Sequence, residues 1–306
     1  MILEINKNDL KLKDNFVIAL GNFDGFHIGH QSLIHELLKA SKESNLTPSV
    51  LLFKEHTKNV LEDTPFKYLT NLNDKIEILQ DLGIEDVFVA DFQDIRNLTP
   101  EEFLEFLSNN LNVMGIVVGN DYKFGKFASG DIDFLSYYCE ENNLYLKVLN
   151  QVETMDSPIK STNIRNLIKS GKVAQAKELL GRPYRVRGNV DHGYKRGRTL
   201  GFPTANISDL KDYILPKEGV YLTKTYIEGY KYPYYSLSFV GKNITFLENE
   251  LKVETYILDF NGDLYGKELK LEFLDFIRDN IKFNNAEDLS NQINKDIETA
   301  RNLLGF

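Results

Sequence analysis

One cysteine, Cys139, stands in 306 residues. An intrachain disulfide is therefore excluded. The lone thiol lies in the helix-like stretch Phe134-Leu-Ser-Tyr-Tyr-Cys-Glu140 and reads as a small packing residue rather than a nucleophile. No apolar run approaches the ~18 residues that a membrane span requires. The segment Met1-Ile-Leu-Glu-Ile-Asn-Lys7 has no basic region followed by an apolar one, so no secretion signal is expected. Internal repeats and low-complexity tracts are also missing. These absences fit a reducing cytoplasm and leave no ground for expecting membrane contact. A positive global field is lacking as well. The net charge is −9, most of it carried before residue 184, and no nucleic-acid partner is expected. The hydrophobic fraction of 42% and charged fraction of 26% are those of an ordinary globular chain, long enough for two cores.

Against that background one basic cluster stands out. Arg182, Arg185, Arg187, Lys195, Arg196 and Arg198 crowd together with a single acid, Asp191. The cluster is too short for a duplex track and large enough for one polyphosphate. It runs into Arg196-Gly-Arg-Thr-Leu-Gly-Phe-Pro-Thr-Ala-Asn206. Glycines allow tight turns and close approach to a ligand, and Pro203 fixes the chain direction before Thr204 and Asn206. Those two side chains are hard oxygen donors suited to Mg²⁺ and phosphate. The bland alternative is a surface loop with incidental charges.

The chain divides by its hydrophobic rhythm. Residues 16–20, 50–53, 87–90 and 116–118 are continuous apolar runs, as in buried strands of a parallel sheet. Helical patterns lie between them, one opened by the cap Thr99-Pro-Glu-Glu102. This alternation predicts a doubly wound α/β domain, with ligands at the carboxyl ends of its strands. Two short helices are expected at 162–169 and 173–180. Gly181-Arg-Pro-Tyr184 breaks the rhythm, giving domains of 1–182 and 183–306. Beyond it, strands at 185–190, 204–207, 220–226, 234–240, 252–258 and 269–274 suggest a small closed antiparallel barrel. A long amphipathic helix through Ala286, Leu289, Ile293, Ile297, Ala300 and Leu304 closes the chain.

The loop after the first of those strands reads Gly21-Asn-Phe-Asp-Gly-Phe-His-Ile-Gly-His30. His27 and His30, three apart, could be metal ligands or plain loop residues. Their position decides for phosphate chemistry, because the pair opens a helix. A helix N-terminus offers free N–H groups to phosphate, and imidazole donors beside it can meet charge that builds in a transition state.

This string resembles the nucleotidyltransferase signature of FAD synthetases, with His27 and His30 as its HxGH pair. The Arg196–Asn206 string resembles the riboflavin kinase signature. Together, in this order and over nearly the whole length, they resemble the prokaryotic bifunctional riboflavin kinase/FAD synthetases. Class I aminoacyl-tRNA synthetases carry a similar histidine motif together with a lysine-rich KMSKS loop, which this chain lacks.

The resemblance implies an N-terminal nucleotidyltransferase domain that adenylylates FMN to FAD with release of pyrophosphate. It implies a C-terminal six-stranded riboflavin kinase barrel that makes FMN. Riboflavin, FMN, FAD and ATP are the implied partners and Mg²⁺ the implied metal, with no permanently bound cofactor. Gly21, Phe23, Gly25 and Gly29 would line the nucleotide loop. Gly119-Asn-Asp-Tyr-Lys-Phe-Gly125 resembles a flavin-facing loop with Asp121 in its polar slot. Ser161-Thr-Asn-Ile-Arg165 resembles the phosphate motif SSTxIR, so Ser161, Thr162 and Arg165 would hold phosphate; a plain helix cap at Ser161-Thr162 is compatible with that. In the kinase domain Glu254 matches the catalytic glutamate, where strand alternation alone would make it a solvent-facing residue. Thr204 and Asn206 would take the metal and phosphate, and Gly193, Lys195, Arg196 and Gly197 would cover the phosphates. Tyr221 would lie at the nucleotide site and Arg278 at the flavin. The chain departs from the family pattern at Lys54 and Glu55 in Phe53-Lys-Glu-His-Thr57, at Lys160, and at Ile244. Two other readings stand beside the bifunctional one: a kinase with an impaired adenylyltransferase domain, and a flavin-binding regulatory protein without turnover.

Overall fold

The computed structural model describes residues 1–5, 12–55, 57, 66–154, 157–191, 201–242 and 251–305. The chain forms two compact units, Met1–Lys160 and Ser161–Phe306.

In the first unit six strands form one sheet: β1 (Ile2–Ile5), β2 (Phe16–Leu20), β3 (Thr47–Phe53), β4 (Asp86–Ala90), β5 (Val113–Gly119) and β6 (Tyr145–Leu149). Their order is β1-β4-β3-β2-β5-β6, and every pairing is parallel. The connections carry α1 (Ile28–Ser44), α2 (Leu72–Asp81), α3 (Phe92–Ile95), α4 (Pro100–Leu111) and α5 (Ile132–Glu141). A short antiparallel pair, β7 (Glu153–Thr154) and β8 (Ser157–Pro158), follows β6. All five residues of β2 are buried, as its unbroken apolar run requires when both faces are covered. Alternate residues feed two cores: Phe16, Ile18 and Leu20 join one, Val17 and Ala19 the other. The capping box expected at the start of α4 is formed, with Thr99 and Glu102 each closing on the other's backbone and Pro100 in the first turn. After β2 the sheet order reverses direction, β3 lying on one side and β5 on the other. That switch point is where doubly wound sheets hold ligands, and the Gly21–His30 loop leaves β2 there.

The second unit begins earlier than the expected junction at Gly181–Tyr184. The helices α6 (Ser161–Lys169) and α7 (Val173–Leu180) belong with the barrel. α7 packs on the strands β9 (Tyr184–Asp191) and β14 (Glu268–Asp279), and the Lys217 N–H donates to the Ile168 carbonyl (3.3 Å). With β10 (Thr204–Ile207), β11 (Gly219–Ile227), β12 (Tyr234–Lys242) and β13 (Leu251–Ile257), these strands close a barrel in the order β10-β13-β12-β11-β14-β9. All neighbours are antiparallel. α8 (Ala286–Leu304) lays Ala300 and Ile297 against Val220, Leu222 and Leu237 on the outside of the sheet. The alternate residues Thr223, Thr225, Ser236, Ser238 and Thr255 are fully buried. Their hydroxyls bond one another across three strands, with Thr223–Ser238 at 2.7 Å and Ser238–Thr255 at 2.8 Å, so none needs water.

The unit boundary yields a prediction. A fragment of residues 161–306 should fold alone. Starting at residue 183 instead removes Ile164, Ile168, Val173, Ala176 and Leu180, all fully or nearly fully buried. At ~1.5–3 kcal/mol per large apolar side chain, the shorter fragment should lose about 6 kcal/mol or more of the ~5–15 typical of a domain. Urea unfolding of the two fragments checks this, and equal midpoints would refute it.

Candidate active sites

The loop after β2 is built on unusual backbone. Phe23 (φ 49°), Gly25 (φ 80°) and Phe26 (φ 45°) all adopt left-handed conformations, costing roughly 1–3 kcal/mol at each non-glycine position. Burial compensates. Both phenylalanines are 0% exposed, and their rings stack at 5.6 Å. The His30 ring rests against both, 5.3 Å from Phe23 and 6.1 Å from Phe26. His27 is the N-cap of α1, and His30 lies in its first turn. The two imidazoles stack face to face, 3.7 Å apart and 17° from parallel. A Cβ at Gly29 would come within 3.1 Å of His27 Nδ1, so this glycine leaves room for the first ring. Gly29→Ala should therefore displace His27 and slow whatever chemistry the pair performs, by about tenfold or more; steady-state rates of FAD formation measure it. Two ring N–H donors at a helix N-terminus are suited to a phosphate or pyrophosphate.

One charged residue of this site is not legible in the motif. Lys75 on α2 is 5% exposed, and its Nζ donates to the Asn22 carbonyl (2.7 Å). Burial lowers its pKa to about 8, opposed by the negative charge of Asp24. Asp24 is itself buried and accepts from the Leu69 N–H (3.0 Å). At the ends of β5 and β6, Asp121 accepts from Gln151 Nε2 (2.6 Å) and is exposed. Lys54, at one of the departures, reaches Glu4 (2.6 Å), and Glu55 is exposed. Lys160 is exposed too.

Ser161 and Thr162 open α6 in the second unit, and Arg165 follows one turn later, half-buried. In the barrel, β10 pairs with β13 so that Asn206 lies opposite Glu254 and Thr204 opposite Tyr256. Glu254 also lies opposite Phe239, whose side chain packs on the outer cluster under α8. Thr204, Asn206 and Glu254 thus share the outer face, each half-buried. Thr204 Oγ1 donates to Glu254 Oε2 (3.2 Å). A hydroxyl, an amide and a carboxylate side by side form a hard oxygen set of the kind Mg²⁺ takes.

Two expected residues are held elsewhere. Tyr221 is 0% exposed, in edge contact with Phe273 and Phe276, and its hydroxyl donates to the Lys217 carbonyl. Its alternation places it on the buried side of β11, so its ring is not brought to the Thr204–Glu254 face. Arg278 lies on β14 itself, which continues past the expected end at 274 to Asp279. Its guanidinium clasps Asp296 of α8, with Nε 2.9 Å from each carboxylate oxygen. Asp296 is buried and also accepts from Gln292 (2.9 Å). Arg278 Nη2 also meets Asp296 (2.8 Å), while Nη1 donates to the Asp279 carbonyl of its own strand (3.0 Å). Gly193, Lys195, Arg196 and Gly197, and the departure at Ile244, lie outside the described residues.

Comparison with known proteins follows the same division. The riboflavin kinase family matches residues 180–304, and the FAD synthetase family matches residues 9–163. A bifunctional riboflavin kinase/FMN adenylyltransferase of Listeria monocytogenes is 38% identical over 291 residues, spanning 94% of this chain and 92% of the relative. The protein of the same description from Bacillus subtilis is 36% identical, spanning 93% and 91%. A crystal structure of a macrolide-efflux protein from Streptococcus pneumoniae is 35% identical, with a TM-score of 0.86 over 98% of this chain and 99% of that one. Among the described residues, no helix is long and apolar enough to cross a membrane.

Proposed function

This chain belongs to the family of bifunctional riboflavin kinase/FMN adenylyltransferases, and on that premise we propose that its two units carry two consecutive steps. In the barrel, riboflavin and ATP give FMN and ADP. In the sheet unit, FMN and a second ATP give FAD and pyrophosphate.

The observation that carries the first step is the hydrogen bond between Thr204 and Glu254, with Asn206 alongside. An alcohol must lose a proton to attack the terminal phosphorus of ATP, and a carboxylate held beside the nucleotide can accept it. Glu254 is that base. Thr204 and Asn206 supply the oxygens that would hold a divalent cation, here Mg²⁺, which offsets phosphate charge when bound. Gly193, Lys195, Arg196 and Gly197 cover the phosphates.

The second step needs no strong base, because the attacking FMN phosphate is already anionic near neutral pH. Orientation and charge neutralisation do most of the work. His27 and His30 donate to the α-phosphate as charge grows there, with the N-terminus of α1 behind them. Gly21, Phe23, Gly25 and Gly29 shape the loop, and Asp121 faces the flavin. Ser161, Thr162 and Arg165 are phosphate-binding residues at the start of α6. Both activities belong to a soluble enzyme of the cytoplasm.

One assay tests the whole reading. Riboflavin and Mg-ATP are supplied, and FMN and FAD are resolved by chromatography. Both products are expected. FMN without FAD would favour a kinase with an impaired partner unit, and neither product a protein that only binds flavin.

A further inference from the structure

The buried lysine of the sheet unit lies outside the motif strings quoted above and has no role in the steps above. A buried ammonium is costly unless it is paired, so its surroundings show what it holds. Nζ donates to the main-chain carbonyl of Asn22 (2.7 Å), and the negative charge acting on it is Asp24, from the same loop. Asp74, its neighbour on α2, is also buried, and its N–H is taken by the Asn71 cap. Asn22 and Asp24 flank Phe23. Phe23 is the left-handed residue whose ring meets His30 edge-on at 5.3 Å.

We propose that Lys75 is a positioning residue for adenylyl transfer: one buried ammonium holds the carbonyl before Phe23, balances the charge of Asp24 after it and, through that ring, fixes the imidazole of His30. A neutral amine could still donate one hydrogen bond to Asn22. It would no longer balance the charge of Asp24, and a strained left-handed phenylalanine then has weaker anchors on either side. Catalytic geometry is sensitive on this scale, since a displacement near 1 Å can cost about 10²-fold. With the ammonium held to a pKa of about 8, the grip weakens as pH rises through that value. Stability moves the other way. A lysine whose pKa is lowered by folding opposes the folded state below about pH 8, and this opposition is relieved as pH climbs toward the unfolded value. A loss of activity above pH 8 is therefore not a loss of fold through this residue.

The inference rests on the proposed adenylylation, and the full-length protein tests the two apart. kcat/KM for FMN in FAD formation, which reports the groups of the free enzyme, should fall as pH rises through about 8, while riboflavin phosphorylation by the same preparation does not follow it. Lys75→Met should lower kcat for FAD at pH 7 by about 10- to 100-fold, with both KM values within about threefold, and should lose the alkaline limb. Lys75→Arg keeps its charge beyond pH 12, so it should recover part of the rate and shift the limb upward. A wild-type profile flat from about pH 7 to 9.5, or a Lys75→Met variant that forms FAD normally, overturns the proposal. If Lys75→Met does not fold, the wild-type profile and Lys75→Arg carry the test. A wild-type chain that makes FMN but no FAD refutes the adenylylation instead. In that event the His30 ring resonances in NMR still report the geometry: a change in wild type between about pH 7 and 9.5 that Lys75→Arg suppresses supports the grip, and signals that stay put in wild type overturn it.

Discussion

Glu254→Gln is expected to slow riboflavin phosphorylation by about 10²–10⁴-fold, or roughly 3–5 kcal/mol of barrier, the usual contribution of a general base. Glutamine keeps the size of the side chain and can still accept the hydrogen bond from Thr204 Oγ1 that the structure shows. What it cannot do is take the proton of the riboflavin hydroxyl. The deficit should therefore fall on kcat, with KM for riboflavin and ATP little changed, because the lost interaction matters mainly in the transition state. FAD formation from supplied FMN should persist, since its nucleophile is an anion in the other unit. A glutamate that merely decorated the outer face of β13 would change stability by no more than ~0.5 kcal/mol and leave turnover intact. Steady-state kinetics decides between them. A kcat within threefold of wild type would sink the assignment.

His27→Ala and His30→Ala should each lower FAD formation from FMN by about 10²–10³-fold, the loss typical of one transition-state donor. The kinase reaction, on the barrel, should proceed at its normal rate in both. The two variants should differ in stability. The His27 ring stacks on one aromatic neighbour, His30, whereas the His30 ring also packs on both Phe23 and Phe26. His30→Ala should thus also reduce the melting temperature, while His27→Ala changes it less. Normal FAD synthesis in both variants would remove the histidine pair from the mechanism.

The sites are legible in the sequence where they are local. His27 and His30 lie three residues apart at a strand-to-helix turn, and Thr204 and Asn206 stand two apart on one strand, so short motifs capture both pairs. Strand alternation also puts Glu254 on the outer side, although its partnership with Thr204 spans 50 positions. Lys75 is not legible in the sequence because its partner lies 53 residues away. In its own helix it reads as one more charged residue between apolar turns. Arg278 was expected in a loop. β14 instead runs through two register irregularities against β11, which apolar periodicity cannot anticipate, and Asp296 then takes the guanidinium. The strands β1 and β6 went unread, the first being four residues long and the second interrupted by Lys147. Helical rhythm located α6 and α7, but it carries no record of the body on which a helix docks. By packing, the compact units divide at Lys160/Ser161, while the riboflavin kinase family match begins at residue 180, beside Gly181–Tyr184.

The barrel's strand order has a consequence for the chain as it is being made. β9 pairs with β14, Tyr184 meeting Phe273, so closure waits until almost the last strand has left the ribosome. The sheet unit has all six of its strands once Leu149 has emerged. At ~5–20 residues per second the intervening synthesis takes on the order of ten seconds, ample time for a domain to fold. The sheet and its histidine loop can therefore form well before the barrel closes. Ser161, Thr162 and Arg165 lie on a helix of the later unit, so a nascent chain holds the histidine pair before it holds those phosphate-binding residues or the closed kinase barrel.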